Sequence, residues 1–274
     1  MWWEILLYII GGALTGFLAG LLGIGGGLVV VPFLAFFLPF VHIAPNYVMH
    51  VAIASSLAII VVTSFSSAYS HQRHGGIRWD LVRKIVLGCL IGALFGSQIA
   101  DFLPSGILRI IFGIFVFIMA YRLLTPQRGS GKAIALPSQI GFAVSGLTIG
   151  TFCTILGTGG GSLLVPFFSF FGISMRNAVA TSAACGFPIA VAGVVGLMFA
   201  GHATALNIPY TTGYVYWPAV GAMVVPSIIF APIGAKLANQ LPTQSLKKIF
   251  GVFLIFVGID MLHQSVLTFI QHIM

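Results

Sequence analysis

Charged residues are scarce in this chain of 274 residues: they make up 6% of it, and only four of them are acidic. Soluble domains carry roughly 25% charged residues. With 59% hydrophobic residues and a mean hydropathy of +1.11, the composition is typical of a protein surrounded by lipid. An ordinary soluble domain is therefore excluded. Alternating ten-residue apolar segments are also absent, which argues against a transmembrane β-barrel.

Cysteine pairs, basic clusters and catalytic motifs are missing as well. The three cysteines lie in apolar segments without C-x-x-C spacing, so we expect buried packing residues rather than a disulfide framework. The net charge of +8 comes from scattered lysines and arginines in short loops, and no nucleic-acid partner is expected. Neither H-E-x-x-H, G-x-S-x-G nor a carboxylate cluster occurs. The sequence therefore predicts no enzyme, no catalytic residues, no cofactor and no metal site.

Long apolar runs recur from one end of the chain to the other. A run of about 18 residues or more is long enough to cross a bilayer as a helix. The sequence therefore predicts an all-α, polytopic membrane protein whose partner is the lipid bilayer. Helical segments are expected at 5–22, 28–38, 47–70, 81–100, 105–124, 137–156, 162–172, 177–200, 214–235 and 245–271.

The second half of the chain repeats the first. "GIGGGLVVVP" returns as "GTGGGSLLVP", "MHVAIASSLA" as "MRNAVATSAA", and "GSQIADFLPSGILRIIFGIFVF" as "GAKLANQLPTQSLKKIFGVFLI". We therefore divide the chain into a first transmembrane repeat at 1–125, a cytoplasmic linker at 126–134 and a second transmembrane repeat at 135–274. Each repeat has about five helical segments.

The distribution of basic residues predicts how the repeats are oriented, because lysine and arginine favour cytoplasmic loops. With an odd number of crossings per repeat, eleven of the twelve Lys and Arg residues lie inside and only Arg109 lies outside. With four crossings per repeat, seven of these basic residues lie inside and five lie outside. We therefore expect two inverted-topology repeats, with both termini extracytoplasmic.

Consecutive glycines interrupt a helix at the same place in each repeat. A broken helix leaves unpaired N–H groups, with partial positive charge, at the start of its next piece. Glycine lets an anion approach those groups, and paired broken helices mark the binding site of many secondary transporters. Packing plus a tight turn is the alternative interpretation. The candidate anion-binding residues are Gly25, Gly26, Gly27, Gly159, Gly160, Gly161 and Ser162.

Other glycines are spaced four residues apart, which is typical of close packing between membrane helices. They are Gly12, Gly16 and Gly20 in the first segment and Gly88, Gly92 and Gly96 in the fourth.

Paired hydroxyls occupy matching positions in the two repeats. Ser55-Ser56 and Thr181-Ser182 lie early in the helix that follows each glycine run. There a hydroxyl either donates to an anion or bonds back to the carbonyl four residues earlier. We include these four residues in the candidate anion site.

Two basic side chains also correspond, at the start of that same helix. His50 in the first repeat matches Arg176 in the second, which is followed by Asn177. We assign these three residues a candidate role at the entrances of the site. Anchoring of lipid headgroups is the alternative.

The duplicated motifs, "GIGGGLVVVP" with "AIASS" and "GTGGGSLLVP" with "AVATS", resemble those of the sulfite exporter TauE/SafE family over nearly the whole chain. The resemblance implies a multi-pass protein in the plasma membrane of a bacterium or archaeon. It further implies transport of a small sulfur-containing anion, such as sulfite or an organosulfonate, bound near mid-membrane by helix N-termini and Gly-rich turns.

We expect a secondary transporter that works as an exporter, and an anion channel with the same Gly-lined site is the alternative. A homodimer is a candidate assembly. One departure from the family pattern is His50, where relatives often carry a basic residue. Histidine titrates near neutral pH, which would make one entrance pH-sensitive.

Overall fold

The computed structural model describes residues 2–22, 26–41, 43–73, 75–125, 136–203, 209–238 and 243–273. These ranges are almost entirely helical, which confirms the all-α prediction. The helices are α1 (Trp2–Leu22), α2 (Gly27–Phe37), α3 (Val48–Arg73), α4 (Trp79–Phe102), α5 (Ser105–Leu124), α6 (Gln139–Leu156), α7 (Gly161–Phe170), α8 (Met175–Ala203), α9 (Trp217–Ala238) and α10 (Thr243–Ile273). Two short 3₁₀ helices, Leu38–Val41 and Pro45–Tyr47, connect α2 to α3.

Within the described ranges, seven helices are long and apolar enough to cross a bilayer, namely α1, α3, α4, α5, α6, α8 and α9. This confirms a polytopic membrane protein. By contrast, α2 has 11 residues and α7 has 10. At a rise of about 1.5 Å per residue, each covers roughly half of a hydrocarbon core that is about 30 Å thick.

The chain reverses direction between α6 and α7. Gly157 ends α6 in the left-handed conformation, with φ of 63°, which glycine adopts without steric cost. The N–H of Thr158 then donates to the carbonyl of Cys153 at 3.1 Å, the bond of a Schellman motif. The ring of Phe167 in α7 lies 6.4 Å from that of Phe142, near the start of α6. These two helices form a hairpin, which we call the second helical hairpin.

The chain also reverses between α1 and α2. Gly26, at the start of α2, lies beside Ala19 near the end of α1, and Phe33 packs against Gly11 earlier in α1. Later residues of α2 therefore contact earlier residues of α1, so α2 returns along it. We call α1 and α2 the first helical hairpin.

Glycines at four-residue spacing bring two pairs of helices into backbone contact, as predicted for small-residue packing. Gly12, Gly16 and Gly20 of α1 face Met223, Ser227 and Ala231 of α9; Gly88, Gly92 and Gly96 of α4 face Ala143, Leu147 and Thr151 of α6. Residue numbers rise together along both contacts, so both pairs are parallel. Each pair joins one helix from each half of the chain.

Two further pairs consist of helices at matching positions in the two halves. The contacts are Leu57 with Gly193 and Ser64 with Gly186 between α3 and α8, and Gly106 with Ser265 and Leu124 with Gly251 between α5 and α10. Residue numbers fall in one helix as they rise in the other, so both pairs are antiparallel. The first thirteen residues of α3, Val48–Ile60, are all buried, which places this part of α3 in the core.

A small antiparallel strand pair precedes α9, where the sequence predicts a helix from residue 214. The strands are β1 (Thr211–Thr212) and β2 (Val215–Tyr216), joined by the two-residue turn Gly213-Tyr214. Gly213 has φ of 57°, and the flanking residues are β-branched or aromatic, which favours a hairpin over a helix. As a result, α9 begins at Trp217.

Candidate functional site

The start of α2 packs directly on the turn between α6 and α7. Gly27, the first residue of α2, lies against Gly157 and Thr158 in the turn of the second helical hairpin. A Cβ atom on Gly27 would lie 2.6 Å from the carbonyl oxygen of Gly157. Val31, one turn further along α2, also packs on Gly157. The structure therefore brings the first short helix onto the turn that begins the second.

The turn of the second helical hairpin lies between α3 and α8. Gly159 has φ of 65° and packs on Ile60 of α3. Gly160 packs on Gly186 of α8, where a Cβ atom on Gly160 would lie 3.1 Å from the Cα atom of Gly186. Only glycine fits such contacts without displacing a neighbour. The first N–H groups of α7 lack helical partners, so they form an electropositive end inside the protein.

Hydroxyl groups accompany this helix start. The Oγ1 atom of Thr158 and the Oγ atom of Ser162 are 2.9 Å apart, and both residues are buried. Thr158 is a further candidate site residue that the sequence did not reveal, although its spacing of four residues from Ser162 is a signal that could have done so. The aligned positions of the first repeat are Ile24 and Leu28, so this hydroxyl pair belongs to the second half alone.

The other predicted glycines divide into three cases. Gly26 precedes α2 with ordinary helical angles and accepts hydrogen bonds through its carbonyl from the N–H groups of Val29 and Val30. Gly161 is the first residue of α7. Gly25 lies outside the described residues.

The second hydroxyl of each predicted pair is directed differently in the two halves. Ser56 donates a hydrogen bond of 2.8 Å to the carbonyl of Gly157 and so holds the turn of the second helical hairpin. Ser182, its counterpart, is 1% exposed, and its Oγ atom has no hydrogen-bond partner within the described part of the chain. Ser182 therefore keeps a buried hydroxyl that is available to a ligand.

The first hydroxyl of each pair ties the two halves together. Ser55 accepts a hydrogen bond of 3.0 Å from the N–H of Tyr216, just before α9. Thr181 accepts one of 3.1 Å from the N–H of Arg78, just before α4. Each hydroxyl thus binds the residue that precedes a helix of the other half. In this conformation, Ser55 and Thr181 serve as structural acceptors.

Comparison with known proteins identifies the family. The family model described as "Sulfite exporter TauE/SafE" matches residues 8–261. The chain belongs to the sulfite exporter TauE/SafE family. It is therefore a membrane transporter and not an enzyme. No solved structure matches this TauE/SafE protein.

Curated relatives of this TauE/SafE protein are membrane transporters by name. A "Probable membrane transporter protein" of Haemophilus influenzae is 34% identical over 95% of this chain and 99% of its own length. A protein of the same description from Methanocaldococcus jannaschii is 27% identical over 93% of this chain and 94% of its own. The probable membrane transporter protein YunE of Bacillus subtilis is 23% identical over 97% of this chain and 100% of its own.

The predicted entrance residues have unlike surroundings in the TauE/SafE protein. His50 is 4% exposed, its Nε2 atom lies 3.0 Å from the carbonyl oxygen of Leu103, and its ring centroid lies 5.0 Å from that of Tyr214. Arg176 is exposed and Asn177 is half-buried. Both basic residues lie in the first turn of their helices, as the sequence predicts, but His50 belongs to a buried cluster and not to an open entrance.

The three cysteines of the TauE/SafE protein are free thiols in its apolar interior. Cys89, Cys153 and Cys185 are all buried, and they belong to one hydrophobic cluster formed by α4, α6 and α8 with α7. Their burial agrees with the packing role expected from the sequence.

Ser56→Ala and Ser182→Ala are expected to differ in their effect on stability. Ser56→Ala removes the hydroxyl that donates to the buried carbonyl of Gly157. Loss of this hydrogen bond should lower the free energy of unfolding by about 1–3 kcal/mol. Loss of the unpartnered hydroxyl of Ser182 should change the free energy of unfolding by less than about 0.5 kcal/mol. Thermal unfolding of the two purified variants in detergent, followed by tryptophan fluorescence, measures the difference. Equal destabilisation would contradict the assignment.

Proposed function

We propose that this TauE/SafE protein is a secondary transporter that exports a small sulfur-containing anion, such as sulfite or an organosulfonate. In this proposal, the anion binds near mid-membrane between the starts of α2 and α7. The observation that carries it is the packing of Gly27 on Gly157 and Thr158. That contact joins the electropositive start of α2 to the turn that leads into α7, and the backbone N–H groups at the two helix starts can bind an anion without a fixed positive charge.

The hydroxyls of Thr158, Ser162 and Ser182 supply further donors for oxyanion oxygens in this proposal. Carboxylates, which would repel an anion, are few: the sequence has Glu4, Asp80, Asp101 and Asp260. Among the described contacts, Asp101 is bonded to Tyr214 and Asp260 to Gln264, away from the glycine turns. A donor-rich surrounding of this kind favours sulfonate and sulfite groups, which present several acceptor oxygens.

The two halves form inverted repeats in this proposal. The reversal of the chain at each glycine turn supports it, as do the antiparallel contacts of α3 with α8 and of α5 with α10. An axis in the membrane plane would relate helices packed in this way, which is the arrangement of transporters that alternate between two faces. The basic loops then put the 126–134 linker in the cytoplasm and both termini outside, in a plasma membrane.

The alternative of an anion channel is less well supported. Gly159, Gly160 and Ser162 are all buried, as are Ser56 and Ser182. The proposed site is thus closed to water in this conformation, as in an alternating-access transporter between its two open states. A channel would give a flux that does not saturate with substrate, whereas a transporter gives saturable counterflow. The homodimer also stays a prediction, for which light scattering of the detergent complex is the measurement.

Gly26→Ala is expected to reduce transport at least about tenfold, equivalent to roughly 1.4 kcal/mol, while the protein still folds. A Cβ atom at Gly26 would meet its nearest neighbours, on Ala19 and Val30, at 3.7 Å, so the backbone need not move. The added methyl group would instead occupy space before the first N–H groups of α2, where the anion approaches. Counterflow in proteoliposomes, with sulfite, sulfoacetate, thiosulfate, sulfate and chloride as competitors, is the measurement.

The matched control is Gly221→Ala, because a Cβ atom at this glycine of α9 meets nothing within 4 Å. It should transport as the wild type does. If Gly26→Ala transports equally well, the anion does not bind at the start of α2. If no sulfur anion competes for counterflow, the proposed substrate class is wrong.

A further inference from the structure

A buried histidine at the start of α3 carries a free proton-accepting nitrogen. The carbonyl of Leu103 lies 3.0 Å from the Nε2 atom of His50 and can only accept, so Nε2 holds the hydrogen. The Nδ1 atom then keeps its lone pair. It is buried and has no hydrogen-bond partner within the described ranges, and the backbone carbonyls of Ala100 and Asn46 also interact with the ring. His50 therefore has one nitrogen that can accept a proton.

The groups around His50 can balance the charge of the protonated ring. Tyr214, whose ring lies 5.0 Å from that of His50, donates a hydrogen bond of 2.7 Å to Asp101. Asp101 also interacts with His50 electrostatically, and the ring of Tyr47 lies 6.1 Å away. Among the described residues, these three are the titratable groups that face His50, from α4, the strand turn and the 3₁₀ helix before α3. Asp101 is half-buried, one residue before the end of α4.

This cluster is connected to the proposed anion site by a short stretch of chain. Tyr214 lies in the turn between β1 and β2, and two residues later the N–H of Tyr216 donates to Ser55 at 3.0 Å. The neighbouring Ser56 holds the carbonyl of Gly157 in the second helical hairpin. A displacement of the turn at Tyr214 would therefore pull on Ser55 and so on the part of α3 whose Ser56 bonds the carbonyl of Gly157.

The cluster occurs in one half of the chain only. The repeat aligns His50 with Arg176 and Asp101 with Asn239. Arginine keeps its charge at all physiological pH values, and asparagine does not titrate. Tyr214 lies two residues before Tyr216, whose N–H donates to Ser55. The matching donor in the other half is Arg78, which donates to Thr181, and the residue two positions before it is Gly76. A titratable cluster of this kind is therefore found at one end of α3 and not at the matching end of α8.

Resting on the proposed function, we propose that His50, Asp101 and Tyr214 bind the proton whose uptake from outside is exchanged for the exported anion. The proton reaches Asp101 from water and passes to the Nδ1 atom of His50. The product is an imidazolium cation beside the Asp101 carboxylate. Ionisable side chains inside a membrane protein are costly and often form proton relays. The new positive charge lies against the Tyr214 ring, so we expect the Tyr214 turn to shift and to loosen the hydrogen bond from Tyr216 to Ser55.

The test uses wild-type protein in proteoliposomes with an internal pH-sensitive dye and labelled sulfoacetate or sulfite. An imposed pH gradient should drive the anion against its own gradient, and the dye should report protons moving in the opposite direction. His50→Gln and Asp101→Asn should lower this driven accumulation at least about tenfold, a change of roughly 1.4 kcal/mol. Exchange at equal pH on both sides, which needs no net proton movement, should persist. Asn can still accept from Tyr214, so Asp101→Asn preserves the local packing.

The control is Asp80→Asn, which removes an exposed carboxylate paired with Arg78 and should leave coupling unchanged. Proton-independent transport by the wild type, or full coupling in both cluster variants, would overturn the proton site. Equal-pH exchange would still support the anion transporter in that case. A wild type without any exchange would instead refute the proposed function, and the proton site with it.

Discussion

Gly27→Ala is expected to cause a large loss of stability. The new Cβ atom would lie 2.6 Å from the carbonyl oxygen of Gly157 and 2.9 Å from the carbonyl carbon of Thr158. Both neighbours are backbone atoms, so no side-chain rotation relieves the overlap. Overpacking of a core costs about 1–3 kcal/mol and sometimes more, and we expect the upper end here. The midpoint of thermal unfolding in detergent, followed by fluorescence-detected size exclusion, is the measurement.

The neighbouring glycine is the matched control for this prediction. Gly26→Ala adds the same methyl group one residue earlier, where the nearest atoms are 3.7 Å away. Its unfolding midpoint should stay close to that of the wild type. Similar midpoints for Gly26→Ala and Gly27→Ala would mean that the first short helix does not pack on the second helical hairpin.

Gly92→Ala is also expected to cause a large loss of stability, by separating α4 from α6. A Cβ atom at Gly92 would lie 2.8 Å from the carbonyl carbon of Leu147 and 2.9 Å from its Cα atom. In a membrane, helices associate mainly through close packing, so a forced separation removes contacts along the whole pair. We expect a loss of about 3 kcal/mol in the free energy of unfolding and a lower yield of folded protein.

The readout for Gly92→Ala combines stability with transport per folded molecule. Gly92 contacts Leu147, well away from the glycine turns, so the molecules that fold should retain wild-type affinity for the anion. Gly221→Ala, which adds a methyl group to an open position of α9, should leave the midpoint unchanged. A stable Gly92→Ala protein would show that α4 and α6 are not in backbone contact.

Helix positions were predictable because two simple signals agree along the chain. The length of the apolar run predicts a helix at 47–70, and α3 is found at Val48–Arg73. The glycine run predicts that a new helix begins at residue 28 and continues to 38, and α2 is found at Gly27–Phe37. The strand pair before α9 escaped prediction because β1 and β2 have only two residues each. So short a pattern is lost within a longer apolar run.

The site was predictable in its location but not in its hydrogen bonds. Glycine runs mark a break in a helix, which local sequence reveals. Whether a hydroxyl is free depends on partners far along the chain: Ser56 bonds a carbonyl 101 positions away, and Ser55 an N–H 161 positions away. Sequence alone therefore treated Ser55 and Ser56 as equals. The same limitation hid Asp101, whose partner Tyr214 is 113 positions distant.

The parallel pairing of α1 with α9 has a consequence for biosynthesis. Ser227 of α9, which donates to the carbonyl of Gly12 in α1, follows it by 215 positions. At about 5–20 residues per second, the ribosome needs roughly 10 to 40 seconds to reach it. During that interval, the glycine face of α1 has no final partner and must lie against lipid or an insertion factor. We therefore expect the partly synthesised chain to be most susceptible to quality-control proteases before α9 has been made.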